Sequence, residues 1–182
     1  MAPADADPEA LLRFWFEEHP EDWFVKNPAF DAEVRARFLP LHESAAAGRL
    51  AGWGEAPRSC LALVIALDQF PRNLFRGEAR AFATDSRARA AARTILERGW
   101  DGPMRESERL FAYLPFEHSE SLADQDLACA LMKDFDPKLR EYAERHRAVI
   151  RRFGRFPHRN DLLGRESTAA EIDFLKMPGS RF

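Results

Sequence analysis

A chain of 182 residues and 20.8 kDa has the usual size of one domain and buries about 70% of its unfolded surface on folding, enough for a self-sufficient core. With 46% hydrophobic and 31% charged residues, the composition excludes a disordered chain, a collagen and a disulfide mini-protein. A net charge of −3 and a pI near 6.0 argue against bulk binding of nucleic acid, which calls for a basic domain.

Helix punctuation is legible along the chain. Asp7-Pro8-Glu9 supplies an N-cap, a proline at the first helical position and an acid on the positive end of the dipole, which predicts a helix to about Glu18. Asn27-Pro28 repeats the device for a helix through Phe38, which Pro40 is expected to end or kink, and a further segment reaches Gly48. Ser59 is the expected cap of the helix containing LALVIALDQF, which should stop near Phe70 because Pro71 follows. Thr84 or Asp85 opens SRARAAARTILER, closed by Gly99. A shorter helix covers 105–114, and Ser121 with Asp124 resembles a capping box before LACALMKDF. Asp136-Pro137 opens a helix to about Phe153 with Gly154 past its end, and Thr168 with Glu171 is a second capping box for a helix to about Met177. No segment shows the period-two alternation of a strand. The expectation is a single all-α domain over 1–182 with eight or nine helices and loose ends at 1–7 and 178–182.

Cys60 and Cys129 sit among apolar neighbours without Cys-x-x-Cys spacing, which fits a reducing compartment. MAPADADPEA carries three acids and no base, the wrong charge for a secretory segment, and the longest run without a charged residue, 59–67, is far short of a membrane span. A cytoplasmic protein with no membrane or nucleic-acid partner is expected. Of the 27 basic residues, 23 are Arg and 4 are Lys, and eight of those arginines fall between 140 and 165. Part of this surplus is compositional, and charge runs of this kind commonly form solvated faces.

Two segments echo each other. QFPRNLFRGE (69–78) and RFPHRNDLLGRE (155–166) both place Phe-Pro after a helix, then Arg-Asn, apolar residues, adjacent Arg and Gly, and Glu. The echo predicts similar geometry for Arg72-Asn73 and Arg159-Asn160, just past two helix ends. Helical spacing also puts polar residues on apolar stripes. Asp68 follows Val64 and Ile65, Gln125 lies between Leu122 and Cys129, and His146 shares the stripe of Tyr142, Val149 and Ile150. A buried Asp or His requires a partner, so these three residues point either to a closed polar network or to a polar pocket. The segment FAYLPFEHSESLADQD sets Glu117, His118 and Glu120 on a loop expected after Pro115. His118, His146, His158, Glu117 and Glu120 are the sensible pool of metal ligands. They lack any His-Glu-x-x-His or Cys-x-x-Cys spacing, so neither a metal nor a cofactor is expected. A nucleophile elbow, a Gly-rich phosphate loop and a dinucleotide fingerprint are likewise missing.

LDQFPRNLFRG, YLPFEHSE and RFGRFPHRNDLLGRESTAAE, with RFWF and WFVKNPAFD upstream, resemble the bacterial domain-of-unknown-function family numbered 924. The resemblance covers about residues 8 to 178. It implies a multihelical fold similar to the tetratricopeptide-like superhelical class and implies no activity. The family motifs fall on Asp68, Gln69, Arg72, Asn73, Glu117, His118, Glu120, Arg155, His158, Arg159, Asn160, Arg165 and Glu166.

Three readings compete. The first is a helical binding module in which Gln69, Arg72, Asn73, Arg155, Arg159, Asn160, Arg165 and Glu166 line a site for a small anionic ligand or acidic peptide, since guanidinium forks take carboxylate and phosphate bidentately. The second is a hydrolase or lyase on a small anionic substrate, with His118 or His158 as general base and Asp68 or Glu117 orienting the imidazole. The third is a polar network that fixes helix ends and takes no ligand.

Overall fold

The computed structural model describes residues 6–181 and, among them, contains eight α-helices and no strand. They group into two compact units, one of Met1–Arg76 and Arg80–Pro115, the other of Gly77–Ala79 and Phe116–Phe182. Residues 1–5, most of the N-terminal loose end expected from the sequence, and residue 182 lie outside the described residues. No described helix is long and apolar enough to cross a membrane.

Unit one begins with α1 (Pro8–Arg13), where the Asp7 carboxylate accepts from the Glu9 amide at 2.9 Å. The helix continues to Glu18 as a single wider π-helical turn, Phe14–Glu18. Asn27 caps α2 (Pro28–Ala46), accepting from the amides of Ala29 and Phe30. Then follow α3 (Pro57–Leu74), α4 (Asp85–Glu97) and α5 (Glu106–Glu117), whose last two residues belong to unit two. Ser59 does not cap α3. The helix starts two residues earlier, with Pro57 at its first position, and the Ser59 hydroxyl donates back to the Trp53 carbonyl at 2.8 Å.

Three prolines expected to stop or flank helices lie inside them instead: Pro40 in α2, Pro71 in α3 and Pro115 in α5. A helical proline removes one N–H and so strands the carbonyl four residues earlier. Pro40 and Ala36 are both exposed, so water reaches that carbonyl. For Pro71 it is the buried Leu67 carbonyl, and Thr84 Oγ1 donates to it at 2.6 Å.

Helix α3 is the axis of unit one and packs against α1, α2 and α4. Every residue from Val64 to Pro71 is buried, consistent with the uncharged run read from the sequence. Trp15 is fully buried, its ring centroid 5.4 to 5.8 Å from those of Phe111, Phe30 and Phe70, a cluster of the edge-on and tilted kind that aromatic quadrupoles favour.

Unit two holds α6 (Leu122–Leu131), α7 (Pro137–Phe153) and α8 (Ala169–Leu175), with α6 packed on α7 and α8 on the 3₁₀ turn Pro157–Arg159. Asp136 caps α7, and Gly154 closes it at φ +70°, a left-handed conformation that glycine adopts without a Cβ clash. The Thr168 and Glu171 capping box forms. Ser121 makes no side-chain cap; the Ser119 hydroxyl donates to Asp124 at 2.7 Å instead. A small core of Val149, Ile150 and Phe156 is flanked by Phe153 and Phe174. Beyond α8, Arg145 donates to the Gly179 carbonyl at 2.9 Å and Ser180 is buried.

Candidate functional site

The sequence-derived site residues divide between the two units. In unit one, Asp68 is fully buried, and Gln69 Nε2 donates to its Oδ2 at 2.6 Å. Arg72 donates to the Asp68 backbone carbonyl, lies 3.4 Å from Asp68 Oδ1, and forks onto both Asp85 oxygens at 3.1 and 3.2 Å. Burial works against its charge, but Asp68 and Asp85 outweigh that and raise the Arg72 pKa. Asn73 donates to Asp31 Oδ1 at 2.8 Å, and Arg76 forks onto the same carboxylate at 2.8 and 2.9 Å. Burial would raise Asp31, yet the hydrogen bonds from Arg76 and Asn73 prevail and hold it below its ordinary value. These residues lie within and just after α3, so the first copy of the echo is helical where the second follows a helix. The expected similarity of geometry does not hold. Pro71 is absorbed into α3, and what Arg72 and Asn73 meet is set by α4 and α2.

In unit two, the same residue types again meet carboxylates. Arg155 forks onto Glu171 at 2.7 and 2.8 Å, and this hydrogen bonding pulls the Glu171 pKa down to about 2 against the cost of its burial. Arg155 also donates to the Glu166 carbonyl at 2.8 Å, while the Glu166 residue itself is exposed. Arg165 forks onto Glu120 at 2.7 and 2.9 Å and donates to Asn160 Oδ1 at 2.9 Å, and Asn160 Nδ2 donates to Ser167 at 3.0 Å. Burial would raise Glu120, but Arg165 and the Phe156 amide, which donates to it at 2.8 Å, bring it down.

The histidines gather around Phe156. His146 meets that ring nearly edge-on, with centroids 5.6 Å apart at 78°; His158 lies at 5.6 Å, and the Arg159 guanidinium stands 4.5 Å over the ring. His118 is 6.5 Å from His146. His146 Nδ1 is 2.9 Å from the Tyr142 carbonyl and 3.2 Å from Glu117 Oε1. Both neighbours are acceptors, which places the proton on Nδ1 and leaves Nε2 as the basic nitrogen. Burial pushes the His146 pKa down to about 3. The Tyr142 hydrogen bond opposes this, and His118, Arg159 and His158 add to it. Gln125, fully buried, donates to the carbonyls of Glu117 and Ser119 at 2.6 and 2.7 Å and so pins the segment that carries the carboxylate. Its Oε1 is buried without a hydrogen-bond partner among the described residues.

Glu117 therefore orients His146, and it does so from the last residue of α5 because that helix runs through Pro115. The carboxylates Asp31, Asp85 and Glu171 and the Phe156 hub were not singled out by sequence. Each carried a signal of another kind: Asp31 in the WFVKNPAFD motif, Asp85 at the start of SRARAAARTILER, Glu171 in the capping box and Phe156 in RFPHRNDLLGRE. Among the described residues no group of three or more His, Cys, Asp or Glu could hold a metal ion.

An all-α protein with a buried Glu-His pair and paired motif arginines is the class that this geometry defines. The chain belongs to the family described as bacterial protein of unknown function (DUF924), whose model matches residues 11–179. It is similar to a solved structure titled protein of unknown function ATU0120 from Agrobacterium tumefaciens, with 44% identity and a TM-score of 0.90 over 93% of this chain and 96% of that one. Among curated proteins none matches the chain.

Proposed function

We propose that the protein is a ligand-binding module that takes a small anion at the His158, Arg159 and Arg165 edge of the unit-two cluster. The observation that supports this is the field around His158. Burial pushes the imidazole down to about 4; Arg159, Arg181 and Arg165 add to this and Glu120 opposes it. A half-buried imidazole held neutral beside guanidinium groups offers an anion directional donors next to positive charge. The motif residues of unit one serve as internal ties in this reading. The test is thermal unfolding with phosphate, sulfate, citrate and an acidic peptide at matched ionic strength. A small anion should raise the midpoint of the wild type and not of Arg159→Gln. Stabilisation by the peptide alone would move the reading to a peptide site, and equal shifts in both proteins would reject it.

The Glu117-His146 contact favours a second reading, a hydrolase or lyase acting on an anion of the same kind. The carboxylate fixes the tautomer, His146 Nε2 serves as general base, and Arg159 steadies developing negative charge. Turnover retained in His118→Gln, His146→Gln and His158→Gln alike would end it.

A further inference from the structure

A separate feature of unit one has no part in that reading. The end of α2, the turn after it and the facing sides of α3 and α4 border an open, mostly apolar depression of about 250 Å³. Its walls are apolar and small. Leu50, Leu63 and Leu67 form the hydrophobic surface, and glycine or alanine occupies positions such as Gly54, Ala90 and Ala91, where a longer side chain would fill the space. One cation stands among these walls. The exposed Arg87 makes no side-chain hydrogen bond or ion pair among the described residues, whereas Arg72, Arg76 and Arg80 nearby in sequence are all held by carboxylates. Its Nη1 lies over Gly48, where an added Cβ would stand only 3.0 Å away. The absence of a side chain at Gly48 thus lets the guanidinium lie over the end of α2. Thr94, also in the wall, donates its hydroxyl to the Ala90 carbonyl at 3.2 Å and so adds neither a charge nor a spare donor, which leaves Arg87 as the group that meets an anion.

We propose that this depression binds a medium-chain carboxylate, the alkyl chain against the leucines and alanines and the carboxylate on Arg87. Size and charge both lead to this ligand class. A closed apolar cavity of about 150 Å³ holds a benzene-sized molecule; the depression, open on one side and about 250 Å³ in volume, has room for an alkyl chain of about six carbons laid along its wall with the head group toward solvent. An unpaired guanidinium beside an apolar wall favours an anion with planar, two-oxygen geometry over a neutral head. Phosphate or sulfate alone would leave the apolar walls in water.

The test is calorimetric titration of the whole protein with sodium hexanoate, 1-hexanol and sodium acetate at one ionic strength. Hexanoate should bind saturably, about tenfold more tightly than the alcohol, the factor expected when one charge-assisted contact is gained, and more tightly than acetate, which lacks the four methylenes that the apolar wall would cover. Arg87→Gln should weaken hexanoate about tenfold and bring it level with hexanol. Ala90→Phe, at an exposed wall position, should abolish binding of both while leaving the unfolding midpoint unchanged. Arg159→Gln should bind hexanoate as the wild type does, which keeps this site distinct from the one in unit two. Equal affinity for hexanoate and hexanol in the wild type, full binding in Arg87→Gln, loss of binding in Arg159→Gln alone, or no saturable binding at all would each overturn the proposal.

Discussion

Thr84 Oγ1 donates to the carbonyl of Leu67 at 2.6 Å, 17 residues away in the chain. That carbonyl is the one that Pro71 deprives of its helical donor, so a side chain at the start of α4 replaces a backbone bond of α3. The helix can then continue to Leu74 and carry Arg72 and Asn73 to their carboxylates.

Thr84→Val keeps the shape of the side chain and removes the donor, leaving a buried carbonyl unsatisfied. It should destabilise the protein by about 1–3 kcal/mol, whereas Thr84→Ser should cost much less. Pro71→Ala restores the helical N–H, so the double variant Pro71→Ala with Thr84→Val should lose less than the two single losses combined. Denaturant unfolding of the four proteins decides it; strict additivity would refute the compensation.

Arg72 binds one fully buried carboxylate, Asp68, and one nearly buried, Asp85. Removing the cation takes a counter-charge from both, and Arg72→Ala should cost about 3–5 kcal/mol, as breaking a buried pair from one side does. Arg72→Lys should recover only part of this, because an ammonium cannot fork onto Asp85 while reaching Asp68. A loss under 1 kcal/mol in denaturant unfolding would show that contacts other than Arg72 carry the Asp68 charge.

Histidines held neutral make stability fall in acid. The folded-state pKa values of His146 and His158 are pushed to about 3 and about 4, below the unfolded value near 6.5, so between those limits the unfolded chain binds more protons. Their contribution is complete above pH 7 and declines as pH falls, with a slope of up to about 1.4 kcal/mol per pH unit for each histidine. Burial lowers His42 in unit one in the same sense. Glu171, held near 2 by Arg155, extends the loss below pH 4.5. Imidazole proton shifts of His146 that stay flat from pH 8 to pH 5 are expected, and a midpoint near 6.5 would contradict the neutral assignment. His146→Gln should flatten the acid limb of the stability profile.

What could be read from the sequence follows how local the physics is. Caps at Asp7, Asn27, Asp136 and Thr168 form where the sequence places them, because a cap involves only residues two or three apart. Asp68, Gln125 and His146 stand out as polar residues on apolar stripes, and all three are buried. The proline stops fail for the opposite reason. Whether Pro71 ends a helix depends on Thr84, and no local pattern contains both. The partners of the motif arginines were likewise out of reach, since Asp85 lies 13 positions from Arg72 and Asp31 lies 45 from Arg76. Two similar strings of residues thus reach different structures because different helices face them.

Arg159 and Arg72 should respond differently to the same conservative change. Arg159 stands over Phe156 beside His158 and His146, and its charge, with those of Arg181 and Arg165, acts on His158. Arg72 is tied to two aspartates. Arg159→Lys keeps the charge but loses the planar fork and the stacking face, so it should weaken anion binding about tenfold, while the unfolding midpoint without ligand moves by no more than a few degrees. Arg72→Lys should lower the midpoint and leave the anion-induced increment unchanged. Midpoints with and without phosphate, sulfate and citrate for the three proteins separate the two roles. If Arg159→Lys instead unfolds the protein as Arg72→Lys does, with no anion shifting either one, Arg159 is a tie of the same kind and the cluster around Phe156 serves the fold alone.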